Sequence, residues 1–126
     1  MALADISQRQ GRIAVTVFQL RERIHLGNFA ELERLAQEAY NNGARNAVID
    51  LSQTDSMTSI GLRALIIVHK VFAQSDNGNH LKIAGVTPVI RELLQVTGVS
   101  QFIEVYDTVD EAVASFQASK PSQNRV

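Results

Sequence analysis

NAVIDLSQTDSMTSIGLRALIIVHKVF, residues 46–72, passes from a short apolar run through a polar loop into a longer apolar run. Asn46 to Leu51 predicts a short strand, and its consecutive apolar side chains suggest burial on both faces. Residues 60–74 are long and apolar enough for a helix. On a helical wheel the polar residues Arg63, Lys70 and Gln74 occupy one narrow arc. Ile60, Ala64, Leu65, Ile67, Val68, Val71 and Phe72 fill an apolar half-turn that Leu62, Ile66 and Ala73 widen. A helix lying on a sheet needs a stripe of little more than about 100°. This one therefore packs a neighbouring helix as well, keeps apolar surface for a partner, or does both.

On the N-terminal side, Ile13, Val15 and Val17 in a β-branched segment predict a strand, with residues 3–9 as a preceding strand and Gly11 in the hairpin turn between them. Phe29, Leu32, Leu35, Ala36, Ala39 and Tyr40 recur at helical spacing. Asn28 and Glu31 stand in capping-box positions, and Asn42-Gly43 offers a left-handed exit. Beyond residues 75–79, HLKIAG predicts a third strand of the repeating unit, and TPVIRELLQVTG a helix capped by Thr87, with Pro88 first and Gly98 at its end. QFIEVY predicts a last strand, followed by a helix with Thr108 and Glu111 in capping-box positions. The order β-β-α-β-α-β-α-β-α implies an α/β fold, a mixed and mostly parallel sheet of 4–5 strands with about four helices and an opening hairpin. One domain over residues 1–117 and a polar, frayed tail over 118–126 are expected.

Composition removes several function classes. The chain has 126 residues, 45% of them apolar and 20% charged, with 12 basic and 13 acidic side chains for a net charge of -1. No stretch gathers Lys and Arg with aromatics, which argues against nucleic acid. The absence of cysteine excludes disulfides, thiolate catalysis and Cys-based zinc sites. The N-terminus lacks a signal-peptide pattern and no apolar run reaches about 18 residues, so no membrane association is expected and cytoplasmic residence is the default expectation. His25, His69 and His80 form no metal-ligand spacing, and the carboxylates do not cluster as in an EF-hand. No G-x-G-x-x-G or Walker motif occurs, and no cofactor is expected.

Loops after the carboxyl ends of parallel strands tend to carry function, which places interest on Ser59. A hydroxyl there can act as a cap or first-turn residue, as can that of Thr58. It can also accept a phosphate, whose -1.5 to -2 charges suit free helix amides and the positive end of the helix dipole. A serine hydrolase would need an oriented histidine and a motif such as G-x-S-x-G, which the chain lacks. Asp50 invites comparison with the phosphoacceptor of receiver domains. No acidic pair follows the first strand, however, and Lys82 lies within its strand, so Asp50 more simply accepts loop N–H groups or meets solvent.

Residues 46–72 together with RIHLGNFAELERL and VTPVIRELLQVTGVSQFIEVYDTVDEAVASF resemble the STAS domain family of anti-sigma factor antagonists over nearly the whole chain. In that family a V-L-D-L-S strand runs into a loop ending D-S-[ST]-G-[LI]. The resemblance implies a STAS-like (SpoIIaa-like) fold and a non-enzymatic partner switch, in which the antagonist binds an anti-sigma factor that is often a serine-protein kinase. Phosphorylation then ends binding, and a serine phosphatase resets it. It places the phosphoserine on Ser59, with Thr58 as alternative acceptor, and the docking surface on Met57, Thr58, Ile60, Gly61, Leu62 and Arg63. Thr58 stands where the family has aspartate and Ile60 where it has a small hydroxyl residue. A constitutive interaction or ligand-sensing module without phosphorylation is the alternative reading, and a monomer or weak homodimer is the expected state.

Overall fold

The computed structural model describes residues 3–74 and 80–116. Strands β1 (Ala4–Gln10) and β2 (Ala14–Leu20) form the opening hairpin. Helix α1 (Phe29–Asn41), β3 (Ala47–Asp50), α2 (Ser59–Phe72), β4 (Leu81–Ala84) and α3 (Pro88–Val96) follow. A 3-10 turn over Val99–Gln101, β5 (Glu104–Tyr106) and α4 (Val109–Ser115) complete the order. The sheet runs β1-β2-β3-β4-β5, with the first pair antiparallel and the others parallel. The mixed, mostly parallel architecture expected from the sequence is the one observed. The expected loop at 75–79 and the tail at 118–126 lie outside the described residues.

Register explains how the two sheet faces divide. Phe18, Ile49, Ile83 and Val105 stand in one row across the strands. The first three join Leu32 and Ala36 of α1, Ala64, Leu65 and Val68 of α2, and Ile90 and Leu94 of α3 in the main core. Successive right-handed crossovers along an unbroken strand order put all three helices on this face. Val17, Val48, Lys82 and Glu104 form the next row and point to the other face, where α4 packs Ala112 and Val113 over Val15, Val17, Val48 and Ala84. Lys82 is buried there: its ammonium donates to Ser115 Oγ at 2.7 Å, pairs with Glu104 at 3.1 Å and lies 4.4 Å from the centre of the Phe116 ring. Those partners offset the desolvation that a lone buried ammonium would suffer.

The broad apolar surface of α2 is largely covered by α1, with the Phe72 ring edge-on to both Phe18 and Tyr40. Leu62, Ile66 and Ile67 remain half-buried, so some apolar surface is also left on the outside. Two of the expected helix caps form: Thr87 Oγ1 accepts from Ile90 N and Thr108 Oγ1 from Glu111 N. The capping box expected at Asn28 and Glu31 does not. Asn28 Oδ1 instead accepts from His25 N, its amide donates to Arg23 O, and Glu31 pairs with Arg34. The irregular segment before α1 competes for the same side chain and wins it.

Candidate functional site

Helix α2 begins one residue earlier than its apolar period suggests. Thr58 is the N-cap residue, extended at φ -102° and ψ 178°, and its side chain makes no capping hydrogen bond. Ser59 is therefore the first helical residue and not the cap. Both hydroxyls are exposed, and that of Ser59 makes no hydrogen bond among the described residues. The first helical bond runs from Leu62 N to Thr58 O at 3.1 Å, which leaves the N–H groups of Ser59, Ile60 and Gly61 ahead of the ladder. No acidic residue lies in the first turn, and its only charged neighbour along the helix is Arg63, also exposed.

An apolar collar surrounds this hydroxyl. Met57, Ile60 and Leu62 are half-buried and pack against the main core, each leaving part of its side chain outside. Gly61 is buried because Met57 lies over it: a Cβ at position 61 would stand 2.6 Å from Met57 Cγ and 3.3 Å from Sδ. Gly61 is thus covered by the methionine it seats. Arg63 is exposed, while Ile60 divides itself between core and surface.

Asp50 holds the base of the loop. Its carboxylate, 6% exposed, accepts from Ser52 N at 2.9 Å and from Gln19 Nε2 at 3.1 Å. Gly85, at φ +75°, lets the next strand's exit pass close by, since a Cβ there would stand 2.7 Å from Asp50 Oδ1. Thr54, also buried, ties the loop back by donating its N–H to Leu51 O at 2.9 Å. The loop that presents Ser59 is thereby anchored at 50–54 and again at Met57, which packs against the core. Gln19, Thr54 and Gly85 did not stand out in the sequence. A lone glutamine in the apolar β2 was the available signal, and only the β2–β3 register brings it beside Asp50.

Among the described residues no histidine stands beside Ser59 as a catalytic partner would. His69 sits ten residues further along the same helix, about 15 Å away, edge-on to Phe102 with ring centres 5.4 Å apart. Burial lowers its pKa. The His25 ring accepts from Gly27 N, and His80 pairs with Asn46. Among the described residues no group of three or more His, Asp or Glu could hold a metal ion, and no helix is long and apolar enough to cross a membrane.

A family model described as the STAS domain matches residues 6–112. BtrV of Bordetella bronchiseptica, a candidate anti-sigma factor antagonist, is 26% identical over 98 residues, covering 78% of this chain and 83% of that protein. The crystal structure of an anti-sigma factor antagonist from Mycobacterium paratuberculosis matches with a TM-score of 0.74 at 21% identity, over 89% of this chain and 91% of the other. SpoIIAA of Bacillus in its phosphorylated form matches with a TM-score of 0.64 at 12% identity, over 87% and 96% of the two chains. At these identities the structural likenesses speak for the fold.

Proposed function

The chain belongs to the STAS domain family, and we propose that it is an anti-sigma factor antagonist, a non-enzymatic regulator that binds a kinase-type anti-sigma factor and releases it when Ser59 is phosphorylated. The observation that carries this reading is an exposed, unbonded serine hydroxyl in the first turn of α2, set among the half-buried Met57, Ile60 and Leu62. Unmodified, the collar offers apolar area and one cation, Arg63, around a small neutral group. The kinase passes the γ-phosphoryl of ATP to Ser59 Oγ, leaving ADP and a proton. A phosphate then brings about -1.5 to -2 charges into the middle of that area. An apolar partner surface that covers it must strip water from the anion and brings no counter-charge of its own, so docking is lost. The chain itself tolerates the charge, because the hydroxyl is exposed and free helix amides lie beside it.

BtrV's name and the phosphorylated form of SpoIIAA support the same reading. Intact-mass measurement after incubation with the cognate kinase and ATP tests it, with one added phosphate on Ser59 expected. A phosphate on Thr58 would move the switch by one residue, and no phosphate on either would leave a constitutive STAS interaction module. Ser59→Asp is expected to weaken partner binding at least about tenfold, while Ser59→Ala keeps it. Equal affinities of the two variants would refute a charge-controlled switch.

A further inference from the structure

We propose that Arg63 is an intramolecular clamp for the Ser59 phosphate, so that phosphorylation both adds an anion to the docking face and withdraws that face's cation. This rests on Ser59 being the phosphoacceptor. Ser59 and Arg63 are four residues apart on α2, a spacing that stacks two side chains on one helix face with Cβ atoms about 5–6 Å apart. Helical side chains lean toward the N-terminus, so a long one covers the turn before its own. The guanidinium of Arg63 is therefore carried back over the turn that holds Ser59.

The other helix arginines are occupied and Arg63 is not. Arg34 is shared by Glu31 and Glu38, and Arg91 pairs with Asp107. Arg63 is exposed and makes no hydrogen bond or ion pair among the described residues, and the first turn of α2 holds no carboxylate to compete for it. A guanidinium binds phosphate through two parallel N–H bonds, which a lysine cannot reproduce. The geometry also separates the two candidate acceptors. At about 100° per residue, Arg63 is turned only about 40° from Ser59, whereas Thr58 is the extended N-cap, five residues from Arg63 and outside the i,i+4 spacing. That spacing brings a phosphate on Ser59 within reach of the guanidinium, and a phosphate on Thr58 lacks it.

The test uses the full-length chain with phosphoserine inserted at position 59 during translation, so that no kinase is involved. The Arg63 Nε–Hε resonance is expected to shift downfield relative to the unmodified chain, and its exchange with water to slow about two- to fivefold, as for an exposed ion pair. Arg63→Gln should move the phosphate ³¹P resonance, and phosphoserine at position 58 should leave the Arg63 signal where it is. An Arg63 signal unchanged by phosphate at 59, or changed equally by phosphate at 58 and 59, overturns the clamp. Failure of the cognate kinase to modify Ser59 would instead overturn the switch proposed above, and the resonance measurement would stand apart from that result.

Discussion

Gly61→Ala is expected to alter the docking collar while hardly changing stability. The added Cβ would lie 2.6 Å from Met57 Cγ, against about 3.5 Å for carbon atoms in contact. Cγ is close to the backbone, so a flexing tip does not relieve the overlap and Met57 has to rotate at χ1. Two terms then oppose each other. Replacing a helical glycine by alanine gains about 0.8–1 kcal/mol. Lifting a half-buried methionine off the core costs about half of the 1.5–3 kcal/mol that full burial contributes. The sum lies within about 1 kcal/mol of zero, a shift of at most about 3–6 °C in Tm for a chain of this size. Thermal melting reads that sum, and the Met57 methyl resonance reads the displacement directly, since the chain has two methionines to assign. Partner affinity is expected to fall about tenfold. A Met57 methyl signal that stays in place would refute the reasoning, as would a loss of more than about 3 kcal/mol, which would mean that the helix had moved instead of the methionine.

Asp50→Ala removes two hydrogen bonds to a carboxylate, from the Ser52 N–H and the Gln19 amide, at about 1.5–3 kcal/mol for a bond to a charged group, partly offset because Ser52 is exposed and Gln19 only half-buried. Chemical denaturation should show a loss of about 2–4 kcal/mol and hydrogen exchange a loosened 51–54 segment, and a loss below about 1 kcal/mol would remove Asp50 as the loop's anchor. His69 gives a pH dependence. Burial holds its folded pKa below the unfolded value near 6.5, so its neutral form is the one the fold accommodates. The unfolded chain then binds more protons as pH falls, and the resulting loss of stability begins near pH 6.5 and is complete below the folded pKa. His69→Gln should flatten the stability profile between pH 7 and pH 5 relative to the unmodified chain, and parallel profiles would refute the assignment.

Elements with strong local patterning were legible in the sequence. The apolar period of residues 29–40, the Thr87-Pro88 start and the left-handed Gly98 each set a boundary through neighbours a few residues away, and the structure has all three. The capping box at Asn28 was local in form yet failed, because Arg23 and His25 offered the asparagine side chain other partners in a segment without a period to read. The loop anchor was hidden for a different reason. Gln19 and Asp50 are 31 positions apart, and only parallel pairing of β2 with β3 makes them neighbours. Lys82 was placed only as a residue within its strand. Its burial depends on α4 returning across the second face with Ser115 and Phe116, which no property of HLKIAG announces.

The same division would let the switch proposed at Ser59 act without unfolding the chain. The groups that hold the fold, Phe18, Ile49, Ile83 and the inward residues of α1, α2 and α3, are buried and apolar, so a charge added outside leaves them untouched. Asp50, Ser52, Gln19 and Thr54 fix the loop through hydrogen bonds in which the Ser59 hydroxyl takes no part, so none of those bonds is lost when it is modified. Ser59, Thr58 and Arg63 are exposed, and the three N–H groups ahead of the α2 ladder have no partner within the helix. A phosphate there exchanges solvent for a counter-charge within the chain, while a partner's apolar surface has neither to offer. The cost of the modification therefore falls on the complex rather than on the monomer, as a binding switch requires.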